Sequence, residues 1–387
     1  MNLLGSRTPV AWLQLSHRPL RLLAAIAGVS FANVLVFFQL GLSGSLYDSQ
    51  KRPIDQISGQ LVLVPKRYTN LGEPLNFSRA QLVRVRGVQG VAGVTPLYIG
   101  KADWLNRDTR QSKQALVFGV TPENPALKLP ILQQNKALLK QPNTLFFDSA
   151  SKKAAGSVVQ TLATGNSYLT ELRGQQAKVV GVFKLGLTFA ADINLIMSAA
   201  NFQTYFPEKS NDDIQLGVIQ LSAGANEAQV QATISRFLDP SLQVLTIQQL
   251  KEREMSHWQR NTSFGLIFNL GVLVGLAVGA IIVYQILYSD VGDHLSEYAT
   301  MKAIGYGDNF VVGIILQESL LLATVAFLPS VLLSMLLYQV LVRATGLLVA
   351  MTLGRALFVF CLTLVLCSAS GWLATGKLRR LDPAEVF

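Results

Sequence analysis

The sequence contains few of the residues that form catalytic or metal centres. Only two of its 387 residues are cysteine and three are histidine. Both cysteines, Cys361 and Cys367, lie in one apolar stretch near the C-terminus, so residues 44 to 260 contain no thiol. This absence excludes a disulfide framework, a thiolate metal site and a cysteine nucleophile from the large polar part of the chain.

Other chemical motifs are missing as well. His17, His257 and His294 lie in three separate regions, without the spacing of a metal site, and there is no G-x-S-x-G nucleophile elbow. The nearest match to a phosphate loop is Gly371 to Lys377, but it has Leu378 in place of the hydroxyl residue and ends an apolar stretch. We therefore expect no catalytic residues, no bound cofactor or metal, and no ATP hydrolysis by this chain alone.

Charged residues are also scarce. They make up 14% of the chain and hydrophobic residues 50%, whereas soluble domains are about a quarter charged. This imbalance indicates an integral membrane protein. Residues 44 to 260 hold 24 of the 33 Lys and Arg and 16 of the 23 Asp and Glu, and a positive charge this diffuse does not predict nucleic-acid binding.

Four apolar stretches reach the length of about 20 residues that a transmembrane helix needs. The predicted spans are 22–42, 264–288, 309–342 and 356–376. The first exceeds the ~7–15 residues of a signal-peptide core, so we interpret it as an uncleaved anchor. The third contains Pro329 and is overlong, which predicts a kink or a helix that projects from the hydrocarbon.

Flanking cations predict the orientation. Arg7, Arg18 and Arg21 precede the first span, and Lys377, Arg379 and Arg380 follow the last, which places both termini in the cytoplasm. The predicted segments are a cytoplasmic N-terminus (1–21), span one (22–42), an extracytoplasmic domain (43–263), span two (264–288), a cytoplasmic linker (289–308), span three (309–342), an outer loop (343–355), span four (356–376) and a cytoplasmic tail (377–387).

The fold class follows from these segments: an α-helical membrane protein with four transmembrane helices and a large mixed α/β extracytoplasmic domain. Strands are predicted in that domain at Gln60 to Val64, Val91 to Ile99, Gln114 to Val120, Ala177 to Leu185, Ile214 to Leu221 and Leu242 to Ile247. Helices are predicted after Ser78 and after Asn226, the second with Val230, Ile234 and Phe237 on one face. Four prolines between residues 122 and 142 predict an inserted subdomain at about 122–213.

The segment before span two predicts a stalk helix. There is neither Gly nor Pro from Leu242 to Phe264, and the region from Gln248 to Arg260 is rich in helix formers. Its candidate functional residues are Gln248, Lys251, Glu252 and Trp258. The helix either continues into span two as one stiff rod or breaks between Asn261 and Gly265.

Two polar residues, Gln317 and Glu318, lie inside span three. In a helix that begins at Asn309, Glu318 is roughly 13 Å along the axis, too deep to reach the headgroups easily. The sequence places no second acid within a predicted span, so we expect a polar contact with another helix rather than a proton or substrate relay.

The cytoplasmic linker predicts a short amphipathic helix. Val291, Leu295, Tyr298 and Met301 follow helical spacing, and Gly305 suits a C-terminal cap with a left-handed backbone. Such a helix would lie against the membrane or a partner.

This linker resembles that of the FtsX/MacB-type ABC transporter permeases, with the signature E-x-x-x-x-[KR]-A-[IL]-G followed by a span that bears an acid. The matching residues are Glu297, Lys302, Ala303, Ile304, Gly305 and Glu318. The segment from Arg379 to Glu385 is similar to the closing R-x-x-D-P-A-E of the family. Trp12 to Leu15, with Arg18 and Arg21, and Phe38 to Gly41 resemble the DevC-type exporter permeases.

The resemblance implies a homodimeric permease of the inner membrane, surrounded by membrane lipid, with its large domain in the periplasm. It implies a separate ATPase subunit that binds ATP, a periplasmic adaptor and an outer-membrane channel; MacB proper differs because its ATPase is fused. It also implies mechanotransmission, in which ATP-driven motion drives cargo outward. Glu297, Tyr298 and Lys302 would then touch the ATPase, and Gly305 would let the chain turn toward span three.

Three alternatives remain open. A regulator of cell-wall hydrolases of the FtsX type generally has a smaller outer domain, and a lipoprotein-releasing permease differs in cargo and adaptor. A membrane-anchored sensor or enzyme would need a catalytic constellation, which the outer domain does not show in its sequence.

Overall fold

The computed structural model describes residues 17, 19–151, 155–186, 188, 191–210, 212–260, 262–345, 347 and 349–376. The chain divides into two compact units. The membrane unit comprises residues 1–44, 263–344 and 348–387, and the outer domain comprises residues 45–262 with 345–347. The N-terminal motif at Trp12 to Leu15 with Arg18, and the closing motif at Arg379 to Glu385, lie outside the described residues.

The secondary structure of these residues is as follows. The helices are α1 (Pro19–Asp55), α2 (Arg79–Val85), α3 (Pro130–Gln134), α4 (Lys136–Leu139), α5 (Val158–Ala163), α6 (Ala199–Tyr205), α7 (Glu227–Phe237), α8 (Ile247–Arg260), α9 (Ser263–Asp293), α10 (Leu295–Ala303), α11 (Asp308–Thr345) and α12 (Leu353–Ala374). The strands are β1 (Leu61–Pro65), β2 (Phe77–Ser78), β3 (Val91–Leu105), β4 (Ser112–Val120), β5 (Thr144–Asp148), β6 (Tyr168–Leu172), β7 (Gln175–Phe183), β8 (Ile193–Ser198), β9 (Asp213–Ile214), β10 (Leu216–Leu221) and β11 (Leu242–Thr246).

Four helices, α1, α9, α11 and α12, are long and apolar enough to cross a membrane, and each predicted span lies on one of them. Helix α11 continues through Pro329 for 38 residues, roughly 57 Å at ~1.5 Å per residue. This length exceeds the ~30 Å hydrocarbon thickness, as expected for a helix that projects beyond it.

Glycines set the distance between α1 and α9. Gly271, Gly275 and Gly279 are four residues apart on α9 and therefore share one face. A Cβ added at Gly279 would lie 2.9 Å from the Ala32 Cβ of α1, and one added at Gly275 would lie 3.2 Å from a methyl of Val36. The two helices are thus in close backbone contact, which only glycine permits here.

Buried polar groups also join the membrane helices. Thr363 Oγ1 on α12 donates to Asn33 Oδ1 on α1 at 2.8 Å, and Asn33 Nδ2 donates to Ser330 Oγ on α11 at 3.2 Å. Because water is absent from the bilayer core, such bonds satisfy groups that would otherwise be costly to bury.

The outer domain is built on a nine-stranded sheet of order β11-β1-β10-β3-β4-β8-β5-β7-β6. Strand β3 runs through both halves: residues 91–97 pair with β10, and residues 98–105 pair with β4. A further pairing of β3 with β6 closes the β3-β4-β8-β5-β7-β6 part on itself. Apolar cores cover both faces of the sheet, one around Trp104, Phe147 and Phe202 and the other around Val62 and Phe118.

The structure confirms the six predicted strands and adds β2, as well as β5, β6 and β8 within the segment 122–213. Helices α2 and α7 confirm the two predicted helices. Asn226 caps α7 by accepting from the amides of Ala228 and Gln229. Phe237 was predicted to share the buried face of α7 with Ile234, but its side chain is 49% exposed because it lies on the last residue of that helix.

The stalk segment is not one continuous helix with span two. Helix α8 ends at Arg260 and α9 begins at Ser263. Leu250, Glu254 and Trp258 are buried at a spacing of four residues, so α8 uses one face to pack on the outer domain.

Candidate coupling site

Helix α10 is connected tightly to the membrane helices on either side of it. The amide of His294 donates to the Asp290 carbonyl at 3.1 Å, and the amide of Tyr298 donates to the His294 carbonyl at 3.0 Å. Only His294 therefore separates α10 from α9. Its other end is closed by a Schellman motif, in which Tyr306 N donates to Met301 O and Gly305 N donates to Lys302 O, both at 3.0 Å.

Gly305 has a φ of +103°, the left-handed conformation that this motif requires and that glycine adopts without strain. The structure therefore confirms the predicted C-terminal cap. The chain turns directly toward α11, which begins at Asp308.

Tyr298 is fully buried. Its ring packs with Val291 of α9 and with Val311 and Ile315 of α11, so the predicted amphipathic face is turned toward the membrane helices. This burial leaves the ring no surface for a partner, and we revise its role from ATPase contact to anchor of α10.

Lys302 is also engaged within the chain. Its ammonium lies 2.8 Å from Asp308 Oδ1, and its side chain is only 12% exposed. The ion pair joins the end of α10 to the start of α11. Glu297, in contrast, keeps 54% of its side chain exposed, with Oε1 3.1 Å from His294 Nδ1.

The sequence analysis gave no contact role to two exposed apolar residues beside the capping glycine. Ile304 is 73% exposed and Tyr306 45% exposed, and the Tyr306 ring stacks on Phe310 with centroids 4.6 Å apart. We call Glu297, Ile304, Tyr306 and Phe310 the coupling surface. The available signal was the pair of large apolar residues on either side of the capping glycine, where a solvated turn would carry polar ones.

Charged residues tie this region to α1. Arg21 forms an ion pair with Asp293, lies 3.9 Å from Asp290 Oδ1, and donates to Ser289 Oγ at 3.3 Å. Since α9 extends to Asp293, beyond the predicted end at residue 288, these acids belong to a membrane helix. The sequence suggested no such role for Arg21 beyond topology.

The two polar residues of α11 differ in environment. Gln317 is exposed, whereas Glu318 is fully buried with its carboxyl beside that of Asp290. The sequence analysis found no second acid within a predicted span because the apolar pattern ends span two at residue 288, whereas helix α9 continues past Asp290 to Asp293. The carboxyl of Glu318 faces α9, which agrees with the predicted contact to another helix.

The predicted stalk residues lie on α8. Lys251 forms an ion pair with Asp55, Gln248 donates to Glu252 Oε1 at 2.9 Å, and the indole of Trp258 donates to Glu254 Oε1 at 3.1 Å. Gln248 and Glu252 are exposed and Trp258 is buried.

Sequence reasoning missed Glu254, which is 1% exposed. Its Oε2 accepts from the Tyr68 hydroxyl at 2.8 Å and from the Leu71 amide at 3.0 Å. Burial raises the pKa of Glu254 to about 7, against the opposing effect of these hydrogen bonds.

Glycines 371 and 376 of the apparent phosphate loop are not in a loop that could cradle phosphate. Gly371 lies within α12, where a Cβ would meet Ser319 of α11 at 3.2 Å. Lys377 is outside the described residues. Gly371 therefore allows α12 to pack closely against α11 and is not part of a phosphate loop.

Comparison with known proteins gives two family matches. Residues 22–237 match the MacB-like periplasmic core domain, and residues 269–383 match the FtsX-like permease C-terminal domain. Comparison with curated proteins gives no significant match.

Three solved structures of permease or transporter domains resemble about half of the chain. The periplasmic region of MacB from Actinobacillus actinomycetemcomitans is 10% identical, with a TM-score of 0.36, over 51% of this chain and 92% of that one. The extracellular domain of the noncanonic ABC-type transporter YknZ from Gram-positive bacteria is 15% identical, with a TM-score of 0.32, over 48% and 98%. A domain of a putative permease from Porphyromonas gingivalis is 12% identical, with a TM-score of 0.29, over 48% and 85%.

The periplasmic core match alone covers more than half of the chain, and the permease match covers the coupling site and the last two spans. The chain is therefore a membrane protein with a large periplasmic domain and belongs to the MacB/FtsX-like family of ABC transporter permeases.

Proposed function

We propose that this chain is the permease subunit of a three-part exporter in the inner membrane, working as a homodimer of the DevC type. A separate ATPase subunit would bind and hydrolyse ATP, while a periplasmic adaptor and an outer-membrane channel would complete the export path. The anchored α10 carries this proposal. It is held by the Tyr298 core, the Schellman motif and the Lys302 to Asp308 ion pair.

These contacts favour mechanotransmission, because a helix fixed to two membrane helices moves them when it is moved. In this proposal the coupling surface binds an apolar groove of the ATPase. Burial of Ile304 and Tyr306 would contribute about 1.5–3 kcal/mol for each side chain that becomes fully buried.

A double variant, Ile304→Asn with Tyr306→Asn, tests the contact. We expect it to reach the membrane at the wild-type level but to lose export and to retain less of the ATPase on affinity purification. A matched control, Val83→Asn with Leu169→Asn, removes two exposed apolar side chains from the periplasmic domain, where exposures are 55% and 40%, and should retain the ATPase. Normal export by the first variant would overturn the assignment.

The alternatives differ in what co-purifies with the tagged wild-type chain. An ATPase with an adaptor would support the exporter, an ATPase with a cell-wall hydrolase would support the regulator of the FtsX type, and a periplasmic lipoprotein carrier would support the lipoprotein-releasing permease. Reproducible absence of any ATPase would overturn the proposal.

A further inference from the structure

The periplasmic domain has a second feature that the coupling proposal does not use. An open groove of about 560 Å³ lies between the segment that follows β1 and one side of α8. Lys66, Arg67 and Thr69 line it from the segment, and Arg253, Ser256 and His257 line it from the helix.

The groove is positively charged. Among the described residues, none of Lys66, Arg67 and Arg253 forms an ion pair with a carboxylate. Glu252 is the acid on its lining, and its carboxylate accepts from Gln248 on α8. Three cations therefore face one acid, an arrangement that favours an anionic ligand.

Both walls are held in place before any ligand binds. The amide of Lys66 donates to Ser241 O at 2.8 Å, and Arg253 Nη1 donates to Lys66 O at 3.4 Å. Behind the groove, Glu254 accepts from both Tyr68 and Leu71 and so fixes the segment to α8. A site that is already ordered loses less side-chain entropy on binding.

The polar groups of the groove include further donors. Ser256 and Thr69 carry hydroxyls, and His257 is held by Asn70, whose Nδ2 lies 3.1 Å from His257 Nε2. Which of the two ring nitrogens of His257 donates depends on the tautomer. Nδ1 is buried and has no hydrogen-bond partner among the described residues.

We propose that this groove binds the phosphate of an anionic phospholipid headgroup. Phosphate oxygens only accept hydrogen bonds, and lysine and arginine are the side chains that recognise them best. The volume exceeds that of a bare phosphate ion and leaves room for the glycerol of a headgroup. Along the chain, His257 is six residues from Ser263, where the apolar helix α9 begins. The groove therefore lies only a few residues along the chain from a helix that can cross the membrane.

The test uses the full chain in detergent, with native mass spectrometry to count bound phosphatidylglycerol during a titration. The groove variant combines Lys66→Gln, Arg67→Gln and Arg253→Gln. The control variant combines Lys128→Gln, Lys178→Gln and Arg236→Gln, three exposed cations of the same domain outside the groove. We expect the groove variant to bind phosphatidylglycerol about tenfold or more weakly than the wild type, since each charge-assisted bond contributes, and the control variant to bind as the wild type does.

Equal binding by the groove variant and the wild type would overturn the proposal. Inorganic phosphate or glycerol phosphate binding as tightly as the lipid would also overturn it, because the site would then serve a soluble anion.

A third variant, Lys66→Arg with Arg253→Lys, keeps the charge and should retain most of the lipid binding of the wild type. Its failure, with unchanged thermal unfolding, would contradict recognition by charge. Loss of an adaptor protein without any change in lipid binding would assign the groove to that protein instead.

Discussion

At the scale of the residue, Glu254 shows how one buried carboxyl couples a loop to a helix. It receives hydrogen bonds from Tyr68, Leu71 and Trp258, and all three would lose a partner if it were removed. The unpaired donors would cost about 1–3 kcal/mol each. Lys66 and Tyr68 are thus positioned by a residue that does not line the groove.

Glu254 also predicts a pH dependence of stability. Its pKa rises from 4.5 in the unfolded chain to about 7 in the folded domain. Below pH about 4.5 the carboxyl is protonated in both the folded and the unfolded state, so its ionisation does not change the free energy of unfolding. As the pH rises through this window, only the unfolded state loses its proton at first, so the folded domain is destabilised by roughly 3 kcal/mol in total.

Thermal unfolding of the wild type and of Glu254→Gln between pH 4 and pH 8 measures this effect. The neutral variant should lack this loss of stability on going from pH 4.5 to pH 7. The difference between the two proteins should stay constant above pH about 7. Parallel curves for both proteins across the whole range would contradict the assignment.

At the scale of the element, the glycine face of α9 determines how closely α1 approaches. We predict that Gly279→Leu destabilises the membrane unit by about 1–3 kcal/mol, because the leucine side chain would overlap Ala32. Gly313→Leu is the control, since nothing lies within 4 Å of a Cβ added there on α11. The fraction of monodisperse protein after detergent extraction should fall for the first variant only, and equal yields would contradict close α1 to α9 packing.

The elements that could be predicted from the sequence are those with a strong local period. The four apolar helices, β3 and the apolar face of α10 belong to this group. Strands β5 and β8 were missed because their pairing is non-local; β5 pairs with β7 and β8 but with no neighbour in sequence. Strand β6 was also missed, although it pairs with the next strand, β7, across only Arg173 and Gly174.

Prediction of the coupling site was limited in the same way, by contacts between residues that are distant in sequence. Helical spacing grouped Tyr298 with Val291, but only packing against Ile315 of α11 shows that the ring is covered and that Ile304 and Tyr306 protrude. The proximity of Asp290 to Glu318, 28 residues apart by number, likewise depends on tertiary contact. Local patterns therefore predicted the segment but not which residues face outward.

At the scale of the whole molecule, the orientation predicted from Arg21 and the other flanking cations can be tested by labelling. We expect Ala223→Cys to react with a membrane-impermeant maleimide in intact cells and Ser296→Cys to react only after the inner membrane is permeabilised. Both positions are exposed. Cys361 and Cys367 lie within α12, so the unsubstituted chain provides the background. The opposite pattern would reverse the orientation and remove α10 from the reach of a cytoplasmic ATPase.

Strand β3 has a consequence for the motions that are open to the periplasmic domain. Because one uninterrupted strand pairs with β10 at one end and with β4 at the other, β3 joins the two halves of the described periplasmic domain without a loop hinge of the kind with which two-lobed binding proteins close around a ligand. Opening a cleft between its halves would require breaking strand hydrogen bonds. In the proposed exporter the domain would therefore move as one rigid body, and we expect its internal distances to stay the same with and without ATP.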